Sequence, residues 1–143
     1  MPSNIERADR VSRTRALLAP FLGFAMLSVQ QWLFFGREWD ALSPIQLGAW
    51  ALLALGVLLM VLTGGLWFLP REVRRHADDD GSRQNRLQAI YGGFIAAMLT
   101  ALLVFVVSPF EPLPAQRAAH IILSMGLGVS LLSFGIAESR ALA

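Results

Sequence analysis

The sequence predicts an all-α integral membrane protein with four transmembrane helices arranged as two tandem helical hairpins. Three observations lead to this prediction. First, 55% of the 143 residues are hydrophobic and the mean hydropathy is +0.55, which soluble domains of this size rarely reach because their surfaces are polar. Second, the apolar residues form long runs that contain no charged side chain. Third, arginines gather in alternate connections between these runs.

Four uncharged runs are long enough to cross a bilayer, because about 20 apolar residues in a helix span its hydrocarbon core. The runs cover residues 16–35, 45–69, 87–107 and 118–137. Inside lipid every backbone amide needs a partner within its own segment, so each run is predicted to be a helix. The whole chain, residues 1–143, then forms a single four-helix membrane domain.

The second span has a recognisable start. Ser43 can serve as the N-cap, Pro44 as the first helical residue and Gln46 as the third. This arrangement is a capping box, in which side chains satisfy amides that the helix leaves without partners. We therefore expect the second helix to begin at the membrane edge beside these residues.

The arginines predict the orientation. Every basic residue of the chain is an arginine, and ten of the 12 lie before the first span, in the connection 70–86 or after the last span. Only Arg37 and Arg117 lie in the other two connections. Positively charged connections stay in the cytoplasm. We therefore expect residues 70–86 to form a cytoplasmic loop, both termini to be cytoplasmic, and the protein to lie in a bacterial inner (plasma) membrane.

The two halves of the chain resemble each other at a shift of 70 residues without gaps. Matched positions include Gly-Phe and Pro-x-Gln pairs, namely Gly23-Phe24 with Gly93-Phe94 and Pro44-x-Gln46 with Pro114-x-Gln116. Leu, Ala and Gly coincide easily in membrane helices, but chance explains the shared Pro-x-Gln helix start less well. Because each half crosses the membrane twice, we predict a parallel internal repeat.

Small residues predict how the helices pack, since they mark close helix contacts in lipid. In the third span they recur at every fourth position, at Ala89, Gly93, Ala97 and Ala101. We expect this face to pack the third span against the fourth in a tight hairpin. The alternative is that one stripe of small residues is a homodimer face.

Three polar residues lie near the predicted outer ends of the spans. Gln30 and Gln31 are in the first span and His120 is in the fourth. Together they could line a polar outer pocket, because glutamine can coordinate a substrate or an ion and histidine can carry a proton. The alternative is that they bind headgroups, water or a neighbouring helix at the interface.

The cytoplasmic arginines predict contact with anionic lipid headgroups. They are Arg71, Arg74, Arg75, Arg83 and Arg86. No metal site or cofactor is predicted, because the chain has no cysteine and the spacing of His76 and the aspartates 78–80 does not match a metal-binding loop. A net charge of +2 gives no reason to expect nucleic-acid binding.

The pattern identifies no catalytic residue. The leading prediction is a non-enzymatic accessory or scaffold component that acts through helix–helix contacts. Its expected partners are the lipid bilayer and another membrane protein or a second copy of itself. One alternative is a small homo-oligomeric transporter or channel with the polar outer site. A weaker alternative is a membrane enzyme that acts on lipid.

Overall fold

A computed structural model describes residues 4–34, 44–64 and 80–141. In these ranges the chain forms four α-helices, α1 (Asn4–Phe34), α2 (Pro44–Thr63), α3 (Asp80–Val107) and α4 (Ala115–Ala141). All regular structure in the described ranges is helical, which confirms the predicted all-α class. Of these four helices, α2, α3 and α4 are long and apolar enough to cross a membrane, as a membrane protein requires.

The largest differences between the helix limits and the predicted spans are at the start of α1, at the end of α2 and at the start of α3, which begins at Asp80 instead of residue 87. α1 begins at Asn4, well before residue 16, so the arginine-rich segment ahead of the first span is helical. This segment is charged, and the crossing of the membrane by α1 stays a prediction. α2 begins at Pro44 as expected but ends at Thr63, because Gly64 has a φ of 65° and terminates the helix in the left-handed conformation. Residues 65–69 lie outside the described ranges.

α4 is the central helix of the bundle. It packs along α1 on one side and along α3 on the other, and it contacts α2 less extensively. Half of its apolar stretch is buried, compared with 17% for α2 and 6% for α3. Leu131 and Phe134 of α4 lie at the centre of the core, against Ala19 of α1, Val57 of α2 and a neighbouring alanine of α3. The core is therefore built around one face of α4.

Glycines allow α1 and α3 to approach α4 closely. A methyl group on Gly23 of α1 would lie 2.9 Å from the carbonyl oxygen of Gly128. On Gly93 of α3 it would lie 2.5 Å from the carbonyl oxygen of Gly126 and would overlap the hydroxyl of Ser130. Both separations are shorter than van der Waals contact, so only glycine fits at these positions. Such backbone approach is how membrane helices gain packing energy without a hydrophobic driving force.

Proline and glycine also meet between α1 and α4. Pro20 lies inside α1, where its ring removes one backbone hydrogen bond. A methyl group on Gly135 of α4 would lie 2.7 Å from the Pro20 nitrogen. The absence of a side chain at Gly135 therefore makes room for the proline ring, and this contact holds α1 against α4 at the proline.

The outer surface of the bundle carries large apolar side chains. On α3, Phe94 and Phe105 are 61% and 75% exposed, and the leucines 99, 102 and 103 of the same helix are exposed as well. A continuous apolar surface of this kind is unfavourable in water and is compatible with lipid. The four predicted packing residues of α3 instead lie towards the bundle. Ala89 is buried, Gly93 and Ala97 face Gly126 of α4, and Ala101 is half-buried.

The predicted internal repeat stays a prediction. The 70-residue shift aligns Gly23 with Gly93, and both are sites where a helix approaches α4. The same shift aligns Gly56 of α2 with Gly126 of α4, and these two differ. A methyl group on Gly126 would lie 3.0 Å from Ala97 Cβ, whereas one on Gly56 would meet no atom within 4 Å. The packing of the two halves is therefore unequal. α4 contacts both α1 and α3 extensively, whereas α2 makes few contacts with the other helices.

Alanine at these glycines should have opposite effects on stability. We expect Gly93→Ala to lower the free energy of unfolding by about 1–3 kcal/mol, because the methyl group must displace Ser130 and the backbone of α4. We expect Gly56→Ala to raise it by up to about 1 kcal/mol, because alanine favours the helix and has room. The midpoint of thermal unfolding in mild detergent measures both. Equal effects would contradict the close approach of α3 to α4.

Candidate functional site

Among the described residues, four of the five buried polar side chains lie near the two ends of the bundle, and the fifth, Ser130, lies between them on α4. Arg15 and Glu138 meet at the end that holds Gly64 and the start of α3. His120 and Ser124 lie near the other end, in the first turns of α4. Polar groups are expensive inside a membrane protein, so each centre is a candidate functional site.

Arg15 is buried, and its guanidinium links α1 to α4, to α3 and to the residue that follows α2. Nη2 donates to Glu138 Oε2 of α4 at 2.8 Å and to Ser82 Oγ in the first turn of α3 at 2.7 Å. Nη1 donates at 3.2 Å to the carbonyl oxygen of Gly64, which follows the last residue of α2. The guanidinium carbon also lies 5.4 Å from the centre of the Phe134 ring, within cation–π range.

The local sequence explains why Arg15 points inward. Along α1 the buried positions 15, 16, 19, 23 and 26 recur at helical spacing and form the face that packs on α4. Ala19 and Gly23 are small, so this face comes close to α4 and carries Arg15 with it. Glu138 continues the corresponding face of α4, one turn after Phe134. Small residues therefore bring the opposite charges together.

The ion pair is incompletely satisfied within the described residues. Arg15 and Glu138 are each 5% exposed, and both carry a buried atom, Nε and Oε1, that has no hydrogen-bond partner in those ranges. A buried pair gains Coulomb energy but has lost the hydration of both charges. Removing one member leaves the other charged and buried, which is the costly change. The arrangement therefore holds the helix ends in one register. We call the Arg15–Glu138 ion pair, with the hydrogen bonds of Arg15 to Ser82 and Gly64, the clamp.

The second centre contains histidine, tryptophan and serine. The rings of His120 and Trp50 have centroids 4.8 Å apart and are tilted by 46°, which joins the first turns of α4 and α2. His120 is 3% exposed, and Ser124, one turn further along α4, is fully buried. Ser124 Oγ and Trp50 Nε1 have no hydrogen-bond partner within the described part of the chain. The centre can therefore offer one donor and one hydroxyl to a small polar group.

The predicted outer pocket is described only in part. His120 is buried rather than lying at an exposed interface. Gln30 and Gln31 lie in α1, but their side chains are outside the described set. Trp50 and Ser124 are the neighbours of His120 that the sequence reasoning missed. The signal for Ser124 was its spacing of four residues from His120, which places both on one face of α4.

The predicted lipid-contact arginines divide into two groups. Arg71, Arg74 and Arg75 lie outside the described residues. Arg83 is exposed in the first turns of α3, and Arg86 is half-buried with Nη1 3.1 Å from where a Gly64 Cβ would lie.

The interpretation of Arg15 as one more basic residue ahead of the first span needs correction, since it is a buried partner of Glu138. Arg15 and Glu138 carry opposite charges and lie at the same predicted end of the first and fourth spans. This combination was the signal in the sequence for their pairing.

Comparison of the chain with protein-family models, curated proteins and solved structures finds no match.

The clamp predicts a large effect of Glu138→Gln on stability. This change leaves the Arg15 charge buried without a carboxylate, and we expect the free energy of unfolding to fall by about 3–5 kcal/mol. The double variant Arg15→Met/Glu138→Met should recover much of this loss, because neither charge remains. Thermal unfolding in mild detergent measures each variant.

Arg13→Gln is the matched control for the clamp. Arg13 is exposed on the same helix, so its replacement should change stability by no more than about 0.5 kcal/mol. If Glu138→Gln were as mild as Arg13→Gln, the ion pair would not hold the bundle together.

Proposed function

We propose that this protein is a non-enzymatic component of a bacterial inner membrane that acts through lateral helix–helix contacts, with α2 as the contact helix. The observation that carries the proposal is the face of α2 that points away from α4. Gly48, Leu52 and Gly56 follow one another at every fourth residue on this face, and Leu52 is 72% exposed. A methyl group on either glycine would meet no atom within 4 Å.

The cost of these glycines supports the proposal. Glycine inside a helix is about 0.5–1 kcal/mol less favourable than alanine, because the unfolded chain loses more freedom. At Gly23 and Gly93 close packing on α4 offsets this cost. At Gly48 and Gly56 nothing among the described residues does so. A helix of another membrane protein could approach this face closely and supply the missing contacts.

The same proposal includes the topology. All four helices cross the membrane, with both termini and residues 70–86 on the cytoplasmic side. Two observations support this arrangement. The arginine asymmetry favours the same side of the membrane for these segments, and Arg15 contacts the end of α2, the start of α3 and the last turns of α4. The described parts of the arginine-rich segments, residues 4–15 and 80–86, therefore adjoin the same end of the bundle, as a cytoplasmic end requires.

Single cysteines test this topology directly, because the chain contains none. Ser108→Cys, in the connection between α3 and α4, should react in intact cells with a maleimide that does not cross membranes. Ser139→Cys, near the end of α4, should react only after the cells are opened. Both serines are exposed, so reactivity reports the side of the membrane. Labelling of both in intact cells would contradict the proposed topology.

Co-purification tests the contact role of α2. The tagged protein, extracted from its native membrane in mild detergent, should carry a stoichiometric partner that mass spectrometry identifies. Gly56→Leu should reduce its recovery by at least about tenfold, because the larger side chain separates the two helices. Ala51→Leu is the matched control, since Ala51 is exposed on another side of the same helix. Equal recovery of the partner with both variants would contradict the role of this face. Turnover of a substrate by the purified protein alone would contradict the non-enzymatic assignment.

A homo-oligomeric transporter or channel is the second candidate. The observation that favours it is the buried centre of His120, Trp50 and Ser124, where Trp50 Nε1 and Ser124 Oγ could hydrogen-bond to a small polar solute. The same purification distinguishes the two candidates. A single heterologous partner favours the contact role, and a homo-oligomer without a partner favours transport.

A further inference from the structure

Two hydrogen-bonding atoms of the clamp are buried and have no partner among the residues that the structure describes. They are Nε of Arg15, which is a donor, and Oε1 of Glu138, which is an acceptor. The two side chains are each only 6% exposed. Buried polar atoms are nearly always hydrogen-bonded, either to protein or to ordered water. A donor and an acceptor in the same ion pair therefore point to one group that bridges them.

The two atoms lie near each other but are not hydrogen-bonded directly. Nη2 of the same guanidinium is 2.8 Å from Oε2 of the same carboxylate. Each of the two buried atoms shares a carbon with one of these bonded atoms, which places it about 2.3 Å from that atom. Nε and Oε1 are therefore no more than about 7 Å apart, and a molecule that is hydrogen-bonded to both can bridge about 6 Å.

The other helices hold the guanidinium in its orientation. Nη1 donates to the carbonyl oxygen of Gly64, and Nη2 donates to Ser82 Oγ as well as to Glu138. The ring of Phe134 lies over the group, with its centre 5.4 Å from the guanidinium carbon. Turning the guanidinium so that Nε meets Oε1 directly would break the bond to Gly64 or the bond to Ser82. Nε therefore needs an acceptor other than the carboxylate.

The chemistry of the two atoms restricts what can bridge them. Nε only donates and an ionised carboxylate only accepts, so the bridging molecule must accept a hydrogen bond on one side and donate one on the other. An anion in this position would be repelled by Glu138, and a cation would be repelled by Arg15. Both atoms are enclosed by the bundle, which excludes a large molecule. Water is small and neutral, and it both donates and accepts.

We infer that one ordered water is bound in the clamp and bridges Arg15 Nε to Glu138 Oε1. Buried waters in proteins typically occupy such sites, where they complete the hydrogen bonds of polar groups that the chain leaves without partners. The water would return to both charges part of the hydration that they lose on burial, and this loss is the main cost of a buried ion pair. The inference concerns the clamp alone and does not depend on the proposed contact role of α2.

Solid-state NMR of the full chain in lipid bilayers tests this site. Polarisation is transferred from water to the protein labelled with ¹³C and ¹⁵N. We expect Arg15 Nε and Glu138 Cδ to receive it at least about threefold faster than the buried Ala19 Cβ, because a bound water would be in direct contact with both groups. The distance between Arg15 Nε and Glu138 Cδ should exceed about 4 Å, since a direct bidentate pair is shorter.

Variants identify the two signals. Both should be absent from the spectrum of Arg15→Met/Glu138→Met, the double variant that removes the two charges together. Arg15→Lys keeps the positive charge and removes the Nε signal of this arginine, so it identifies that signal if the double variant does not fold. Arg13→Gln is the matched control, because it removes an exposed arginine of the same helix and should leave both signals in place.

Three results would overturn the inference. A distance from Arg15 Nε to Glu138 Cδ below about 4 Å would show a direct pair of hydrogen bonds. Transfer from water to neither atom would show that the clamp is dry. Exchange of the Arg15 Nε proton as fast as that of the exposed Arg13 would show access to bulk solvent in place of one bound water.

Discussion

The guanidinium group of Arg15 is the interaction on which the arrangement of the helix ends depends. It donates to Gly64 after α2, to Ser82 of α3 and to Glu138 of α4, so one side chain of α1 reaches the other three helices. Lysine could not replace it equally, because a planar guanidinium directs several fixed donors at separate acceptors. Lipid supplies little hydrophobic force between helices. Polar contacts and close backbone packing therefore hold the bundle together.

Packing divides the bundle into a tight part and a loose part. α1 and α3 approach α4 at Gly23 and Gly93, where only glycine fits. α2 touches α4 mainly through Val57, Val61 and the ring contact of Trp50 with His120. It thus has one side towards the core, and most of the rest of its surface is exposed. The proposed contact surface is on this helix because α2 contacts the other described helices least, which leaves Gly48 and Gly56 open.

Long uncharged runs were sufficient to predict helices, because backbone satisfaction in lipid leaves no other structure. The start of α2 at Pro44 followed from local chemistry as well. Arg15 could not be understood locally, since an arginine beside a span normally anchors it to headgroups and its partner is 123 residues away. The packing of the glycines could not be predicted from the local sequence either. Gly56 and Gly93 look alike in sequence, and only the placement of the neighbouring helices shows that one is open and the other is closely packed.

The separation of Arg15 and Glu138 along the chain constrains how the protein is made. At about 5–20 residues per second, a ribosome needs about 6–25 s to add the 123 residues between them. During that time α1 has no carboxylate partner from α4, and its long arginine side chain must stay near the headgroups and water. Of the four described helices, the central one is also the last to be synthesised. In the proposed membrane topology, the bundle is therefore completed only after α4 has been made and packs between the helices that precede it in the chain.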